Sequence, residues 1–492
     1  MNRREVARLL AAGTLAAATG CRARPTVNSS DDLIHLDAIA QADLIVAGEV
    51  QAQDLVRSAA QRIQTVNPKL NAIIYTDTDR ALARARASNG LLGGIPYLNK
   101  GLSAYKGMPL TRGSRLFAQT IASDQSAYTD RLDAAGVVVM GQTNTPEFGL
   151  LPSTEPLLHG ATRNPWNLNH TPGGSSGGAA AAVAARLVPA AHASDGGGSI
   201  RIPAAQCGLF GLKPSHGRFP DQGYGDQAWP ISIQHAVTIS VRDSALLLAL
   251  TERADNSALL PVGFVQPERV QQLRIALSLN AAEVTPDNDV AQRVAQMANT
   301  LESLGHEIIP VEQTPLMDER FDDDFLTLWA SGAHAIAQQV TRTTGMPASD
   351  SGLLEPFTLG LATWFAEQPA NTLRDALDRL RSYQARVRTF LSAYDAWLTP
   401  VTASAAPPVG YLAPDVSYDI LLPRVRRFAA YTPLHNVAGT PAMSIPAGFS
   451  QTGLPIGAQL AAAHGNEALL LALAYQIEAT SPWAQQLPPV HG

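Results

Sequence analysis

Gly173-Gly174-Ser175-Ser176-Gly177-Gly178 and Asp195-Gly196-Gly197-Gly198-Ser199-Ile200-Arg201-Ile202-Pro203 decide the reading of this chain. Each places a serine inside glycine. A nucleophilic serine needs an exposed hydroxyl, a base for its proton and nearby backbone N–H groups for the oxyanion of acyl transfer. Glycine lets backbone approach that closely. One such cluster alone is as readily a flexible turn. Here two of them bracket an Ala-rich stretch, Ala179 to Leu187, which stops before Pro189 as a helix would. Gly174-x-Ser176-x-Gly178 also has the form of a nucleophile elbow, but His170-Thr171-Pro172 before it reads as a turn rather than the strand that elbow requires. An elbow would also need a later acid and histidine. His216, His435 and His464 sit in no recognisable motif, so a histidine-based triad is disfavoured but not removed by the residues alone.

Outward from this pair, Gly93 to Lys100 reads as a turn entering a short strand that ends on a lysine, and Ala135 to Gly141 as a buried strand. Asp37 to Gly90 reads as two helices around a turn at Asn67-Pro68. Alternating strand and helix signals predict a layered α/β architecture. From about 255 to 395 the texture changes to long amphipathic helices, such as Val290 to Leu304 and Asn371 to Tyr394, which reads as a helical insertion or cap. After Trp397 the chain returns to strands, Ala442 to Ile445 and Ile456 to Leu460, and a final helix Glu467 to Ile477.

Residues 1 to 21 read as a targeting segment, with Arg3, Arg4 and Arg8 before an apolar run too short to span a bilayer. Arg3-Arg4 hints at twin-arginine export. Ala18-Thr19-Gly20-Cys21 resembles a lipobox with Ala18 where leucine is usual, so Cys21 is the expected acylation site. The expectation is an exported lipoprotein of the periplasm or cell envelope, or a cytoplasmic protein if this segment is an ordinary first helix. The composition, 46% hydrophobic and 16% charged, fits a folded body with a large core. With 36 Lys+Arg against 42 Asp+Glu and a net charge of -6, nucleic acid is not an expected partner. Two cysteines give neither a disulfide framework nor a zinc site, and Cys207 reads as core. No metal-ligand or phosphate-loop motif stands out, so no cofactor is expected.

The stretch from Gly173 to Pro214, including Cys207-Gly208-Leu209-Phe210-Gly211-Leu212-Lys213-Pro214, resembles the amidase signature family. The resemblance continues through Gly94-Ile95-Pro96, Thr143-Asn144-Thr145-Pro146-Glu147-Phe148, Arg163-Asn164-Pro165-Trp166 and Gly453-Leu454-Pro455-Ile456-Gly457-Ala458-Gln459. It implies an α/β fold with a central mixed β-sheet covered by helices on both faces. It implies an amidase domain over 30–490, with a signature core of about 90–250, the helical insertion at about 255–395 and a part of about 396–485 completing the sheet. Residue by residue it implies a Ser-Ser-Lys triad: Ser199 as nucleophile, Ser175, after a cis peptide bond, as proton relay, and Lys100 as base. A lysine can be a base only when its amine is neutral, which burial promotes.

The N–H groups of Gly196, Gly197, Gly198 and Ser199 match the family's oxyanion hole, and Ser176, Asp195 and Arg201 match its loop-supporting residues. Two departures stand out: Gly196, where many relatives carry a larger apolar residue, and Gly101, where many carry Asp. Lys106 is the rival base and reads as a solvated lysine. The resemblance leaves three functions open. One is a stand-alone amidase acting on a small-molecule amide, with a homodimer allowed. The second is the glutaminase-type subunit of a tRNA-dependent amidotransferase, against which the export signal argues, and the third is a non-catalytic envelope binding protein. Thr143 to Arg218 is similar to the branch containing hydrolases of cyclic amide oligomers.

Overall fold

The computed structural model describes residues 30–220, 231–255, 259–311 and 319–492. The targeting segment and Cys21 lie outside the described residues. Eleven strands form one sheet: β1 (Ile73–Thr76), β2 (Pro96–Lys100), β3 (Val138–Thr143), β4 (Ala190–Asp195), β5 (Phe210–Lys213), β6 (Ile233–Thr238), β7 (Arg274–Leu277), β8 (Glu307–Pro310), β9 (Ala396–Pro400), β10 (Ala442–Phe449) and β11 (Pro455–Ala461). Their spatial order is β1-β3-β2-β4-β6-β5-β10-β11-β9-β7-β8. Parallel pairing joins β3, β2 and β4 on one side and β9, β7 and β8 on the other, with antiparallel pairs between and at the β1 edge.

Because side chains alternate across a strand, each strand feeds two cores. Tyr97 and Val139 pack on one face, under the helices Ala38–Ala47, Ala127–Ala135, Val241–Thr251, Asn288–Ser303 and Glu467–Thr480. Leu98, Val138 and Met140 pack on the other, under Ala52–Leu70, Thr78–Ala87, Gly177–Ala184 and Arg201–Cys207. The helix Gly177–Ala184 is buried at all eight positions. Small side chains let it lie against the sheet, and at Gly178 a Cβ would stand 2.5 Å from the Asn144 nitrogen and the Ala72 oxygen. The mixed α/β sheet with helices on both faces is therefore as the sequence implied.

Three local readings change. Pro68 does not break the first long helix, which runs on to Leu70 and closes on Asn71 in the left-handed region (φ 51°). The Asn67 side chain then caps the exit, its Oδ1 accepting from the N–H groups of Ala72 and Ile73 at 2.9 Å. Directly after it lies β1, a strand the helical reading of Asp37 to Gly90 lacked. The segment from 255 to 395 is not helix throughout, since it contributes β7 and β8 to the sheet edge. Those four-residue strands pair parallel with β9 and with each other, and are too short to carry a period of their own.

Candidate active site

β2 and β4 run parallel as neighbours and end on Lys100 and Asp195, so their carboxyl ends open one crevice, the usual place for a ligand in such sheets. Lys100 is fully buried. Its Nζ lies 2.7 Å from Ser175 Oγ and 3.0 Å from Ser194 Oγ. Burial pushes the ammonium down to about 7, opposed by the Asp195 carboxylate, so a large share of the amine is neutral near neutral pH. The Gly174–Ser175 peptide bond is cis. A Cβ at Gly174 would stand 2.4 Å from the Ser153 carbonyl oxygen, which restricts that position to glycine. Gly101, the departure beside Lys100, has the same cause: a Cβ there would meet the Thr143 oxygen at 2.7 Å.

Ser199 stands on the loop between β4 and the helix Arg201–Cys207, and that loop is wound around one carboxylate. Asp195 accepts from the N–H groups of Gly198 at 2.7 Å, Ile200 at 3.2 Å and Arg201 at 3.4 Å. It also accepts the Arg201 guanidinium through Nε and Nη2, both at 2.9 Å. Burial alone would raise the Asp195 carboxyl, but the Arg201 charge and hydrogen bonds hold it well below the ordinary carboxylate range. This corrects one sequence-derived donor. The Gly198 N–H is spent on Asp195 and does not face an oxyanion. Among the described residues the N–H groups of Gly196, Gly197 and Ser199 have no protein acceptor. Gly198 itself has φ +128°, and a Cβ would stand 2.3 Å from Thr432 Oγ1.

Several positions escaped sequence reasoning. Thr432 Oγ1 donates to the Gly197 carbonyl at 2.6 Å. Asn436 Nδ2 donates to the Asp195 carbonyl and carboxylate, both at 2.9 Å. Arg201 Nη1 donates to Gln459 Oε1 at 2.7 Å and Nη2 to Asn436 Oδ1 at 2.6 Å. Gln459 lay within a quoted stretch of the resemblance, whereas Thr432, Asn436 and Ser194 carried no local signal. Ser176 Oγ exchanges hydrogen bonds of 3.3 Å with the Ser194 carbonyl and N–H, tying the first glycine loop to the end of β4.

Ser199 opens onto a cavity with largely apolar walls, shared with Gly149, Gly174, Gly197, Phe325, Trp329 and Phe357. Gly174 and Ser199 on its wall bring the two loops to one space, although no hydrogen bond joins Ser175 to Ser199 among the described residues. The Trp329 ring lies 3.5 Å from where a Cβ of Gly196 would be, so tryptophan occupies the room a larger residue at 196 would take. No histidine lines the cavity among the described residues. His435 is buried against Thr440 Oγ1 at 3.0 Å, and His464 Nε2 lies 3.0 Å from the His216 carbonyl oxygen. Lys106 is exposed, and Cys207 is buried with its thiol pushed up by desolvation.

Comparison with known proteins gives the family of the chain. A family model described as Amidase matches residues 54–471. The chain is 40% identical over 460 residues to the AmiC amidase of Mycobacterium tuberculosis (strain ATCC 25618 / H37Rv), covering 92% of this chain and 96% of that protein. It is 33% identical over 477 residues to the 6-aminohexanoate-cyclic-dimer hydrolase of Pseudomonas sp. (strain NK87), with 92% and 96% covered. A solved structure of 6-aminohexanoate cyclic dimer hydrolase superposes with a TM-score of 0.85 at 31% identity, over 93% of this chain and 99% of the other. The chain belongs to the amidase signature family, and it is an amide-hydrolysing enzyme.

Proposed function

We propose that amide cleavage proceeds through an acyl-serine on Ser199, with Ser175 as proton relay and Lys100 as base. The observation that carries this reading is the 2.7 Å approach of Ser175 Oγ to an amine that burial has made largely neutral. Ser199 Oγ attacks the amide carbonyl carbon, its proton passes to Ser175 Oγ, and the Ser175 proton passes to Lys100 Nζ. The N–H groups of Gly196, Gly197 and Ser199 receive the oxyanion. As the C–N bond breaks, the proton returns through Ser175 to the departing nitrogen, and ammonia or amine leaves. Water then attacks the ester, giving its proton to the same relay, and the acid is released with Ser199 restored. The largely apolar cavity suits an aliphatic or aromatic acyl portion, linear or cyclic.

Replacing Ser199 by alanine is expected to abolish turnover across a panel of aliphatic, aryl and cyclic amides, and labelling by a fluorophosphonate, while thermal unfolding stays near that of the parent. Retained hydrolysis in that variant would remove the nucleophile from this reading.

For the N-terminal segment, the proposal is export followed by acylation of Cys21. The reading rests on Arg3, Arg4 and Arg8 before a short apolar run and on Ala18-Thr19-Gly20-Cys21. Radiolabelled palmitate should enter the protein and fail to enter the Cys21→Ala variant. Incorporation in neither would sink the anchor.

A further inference from the structure

Asp322, Asp323 and Asp324 open the helix Glu319–Thr344, and only the first faces the cavity of Ser199. The other two have partners: Asp323 Oδ1 accepts from Arg426 Nη2 at 2.7 Å, and Asp324 accepts from Arg379 Nε at 2.9 and 3.0 Å. Asp322 is half-buried and accepts no hydrogen bond from any described residue. It shares the cavity lining with Phe325, Leu326, Leu422 and Val425, and Arg426, on the same lining, is the cation whose charge acts on it. Because Arg426 already serves Asp323, the two aspartates and one arginine leave one negative charge in excess on this wall. A carboxylate in largely apolar surroundings with no hydrogen bond costs free energy, and burial accordingly pushes the Asp322 carboxyl up despite the Arg426 charge.

On the strength of the acyl-serine reading above, we infer that Asp322 is a specificity-determining residue that receives a cationic nitrogen at the far end of the substrate. Position fixes the spacing. A Cβ on Gly197 would stand 3.2 Å from the Phe325 ring, so that ring lies on the nucleophile loop. Asp322 is three residues earlier on the same helix, roughly 5 Å further along the axis. The class of substrate this selects is an amide whose acyl carbonyl is separated by a few methylene groups from an ammonium. The methylenes lie along Phe325 and Leu326, and the ammonium meets the carboxylate.

The test uses two p-nitroanilides of equal length, 6-aminohexanoyl and heptanoyl, with the parent enzyme, Asp322→Asn and Asp322→Glu. The parent is expected to favour the ammonium substrate about tenfold or more in kcat/KM, the size of one charge-assisted hydrogen bond. Asp322→Asn should lose that preference while keeping its rate on heptanoyl anilide, and Asp322→Glu should restore part of it. Equal preference in the parent and Asp322→Asn would overturn the inference, as would a parent that favours the heptanoyl group. Fluorophosphonates carrying ammonium-terminated and methyl-terminated chains give a second readout that needs no turnover. Labelling of Ser199 by both without the selectivity overturns the role of Asp322 alone. Labelling by neither removes the nucleophile and the inference with it.

Discussion

Lys100 shows what burial does to one residue. An ordinary lysine is protonated far above neutral pH and cannot take a proton; with its charge desolvated the group titrates near 7. The expected pH profile of kcat/KM is therefore a rise through about 7 to a plateau, with a tenfold fall for each unit below. Lys213 is likewise held near 7, by burial and the Arg201 charge, but its Nζ donates to the Pro214 carbonyl at 2.9 Å and does not line the cavity. Lys100→Met should lose activity by at least two to three orders of magnitude. Stability should move the other way. The unfolded lysine holds its proton up to about 10.5 and the folded one releases it near 7, so in that window folding expels a proton and stability rises with pH. Lys100→Met, which lacks this penalty, should gain on the parent by a few kcal/mol at pH 7, and the gain should shrink toward pH 9.5 in urea titrations. Ser194, also against Lys100, was invisible in sequence because a serine in the run Ala190–Asp195 carries no chemical flag.

At the scale of elements, the cavity wall is fastened by a pair of buried carboxyls. Glu147, in the turn that precedes Leu150 and Leu151, accepts from Ser114 Oγ at 2.6 Å, from the Glu355 N–H at 2.9 Å and from Thr358 Oγ1. Glu355 heads the helix Pro356–Ala366, which carries Phe357 and Leu361, and accepts from the Leu157 N–H at 2.6 Å. Burial first, and then the Glu147 charge, push the Glu355 carboxyl up to about 8. A raised folded value means that stability present below about 4.5 is lost as pH climbs through 8. Glu355→Gln keeps the acceptor oxygen without the charge. It should match the parent at pH 5 and exceed it by a few kcal/mol at pH 8.5 in urea titrations, whereas an equal difference at both pH values would deny Glu355 this titration. Glu147 lay within a quoted stretch of the resemblance without a role, and Glu355 carried no signal, since their meeting depends on the packing of a turn against a helix some two hundred residues on. The amphipathic helices Asn288–Ser303 and Thr372–Leu391 were legible because their buried positions recur at helical spacing over four or more turns. β1, β7 and β8, of four residues each, were not.

Across the whole molecule, Arg201 joins parts of the chain that sequence keeps far apart. Its guanidinium, with no exposed surface, binds Asp195 at the end of β4, the Thr432 carbonyl, Asn436 in the helix Pro433–Ala438, and Gln459 in β11. The family resemblance marked Asp195 and Arg201 as loop supports. Their partners stayed hidden because only the strand order, which sets β5 and β10 between β6 and β11, brings them there. The nucleophile loop is thus set by the C-terminal strands as much as by its own glycines. Asp195→Asn removes the charge that compensates a fully buried guanidinium and weakens the acceptor for three N–H groups. It should lower the unfolding free energy by about 3 to 5 kcal/mol and also slow acylation of Ser199 by fluorophosphonate. The double replacement Asp195→Leu with Arg201→Met removes both charges of this buried pair and should recover much of the stability, since an apolar pair often replaces a buried ion pair without loss. It should not recover labelling, because the N–H groups of Gly198, Ile200 and Arg201 would then have no carboxylate to hold the loop. Full recovery of labelling in that variant would show that the glycine loop takes its shape without Asp195.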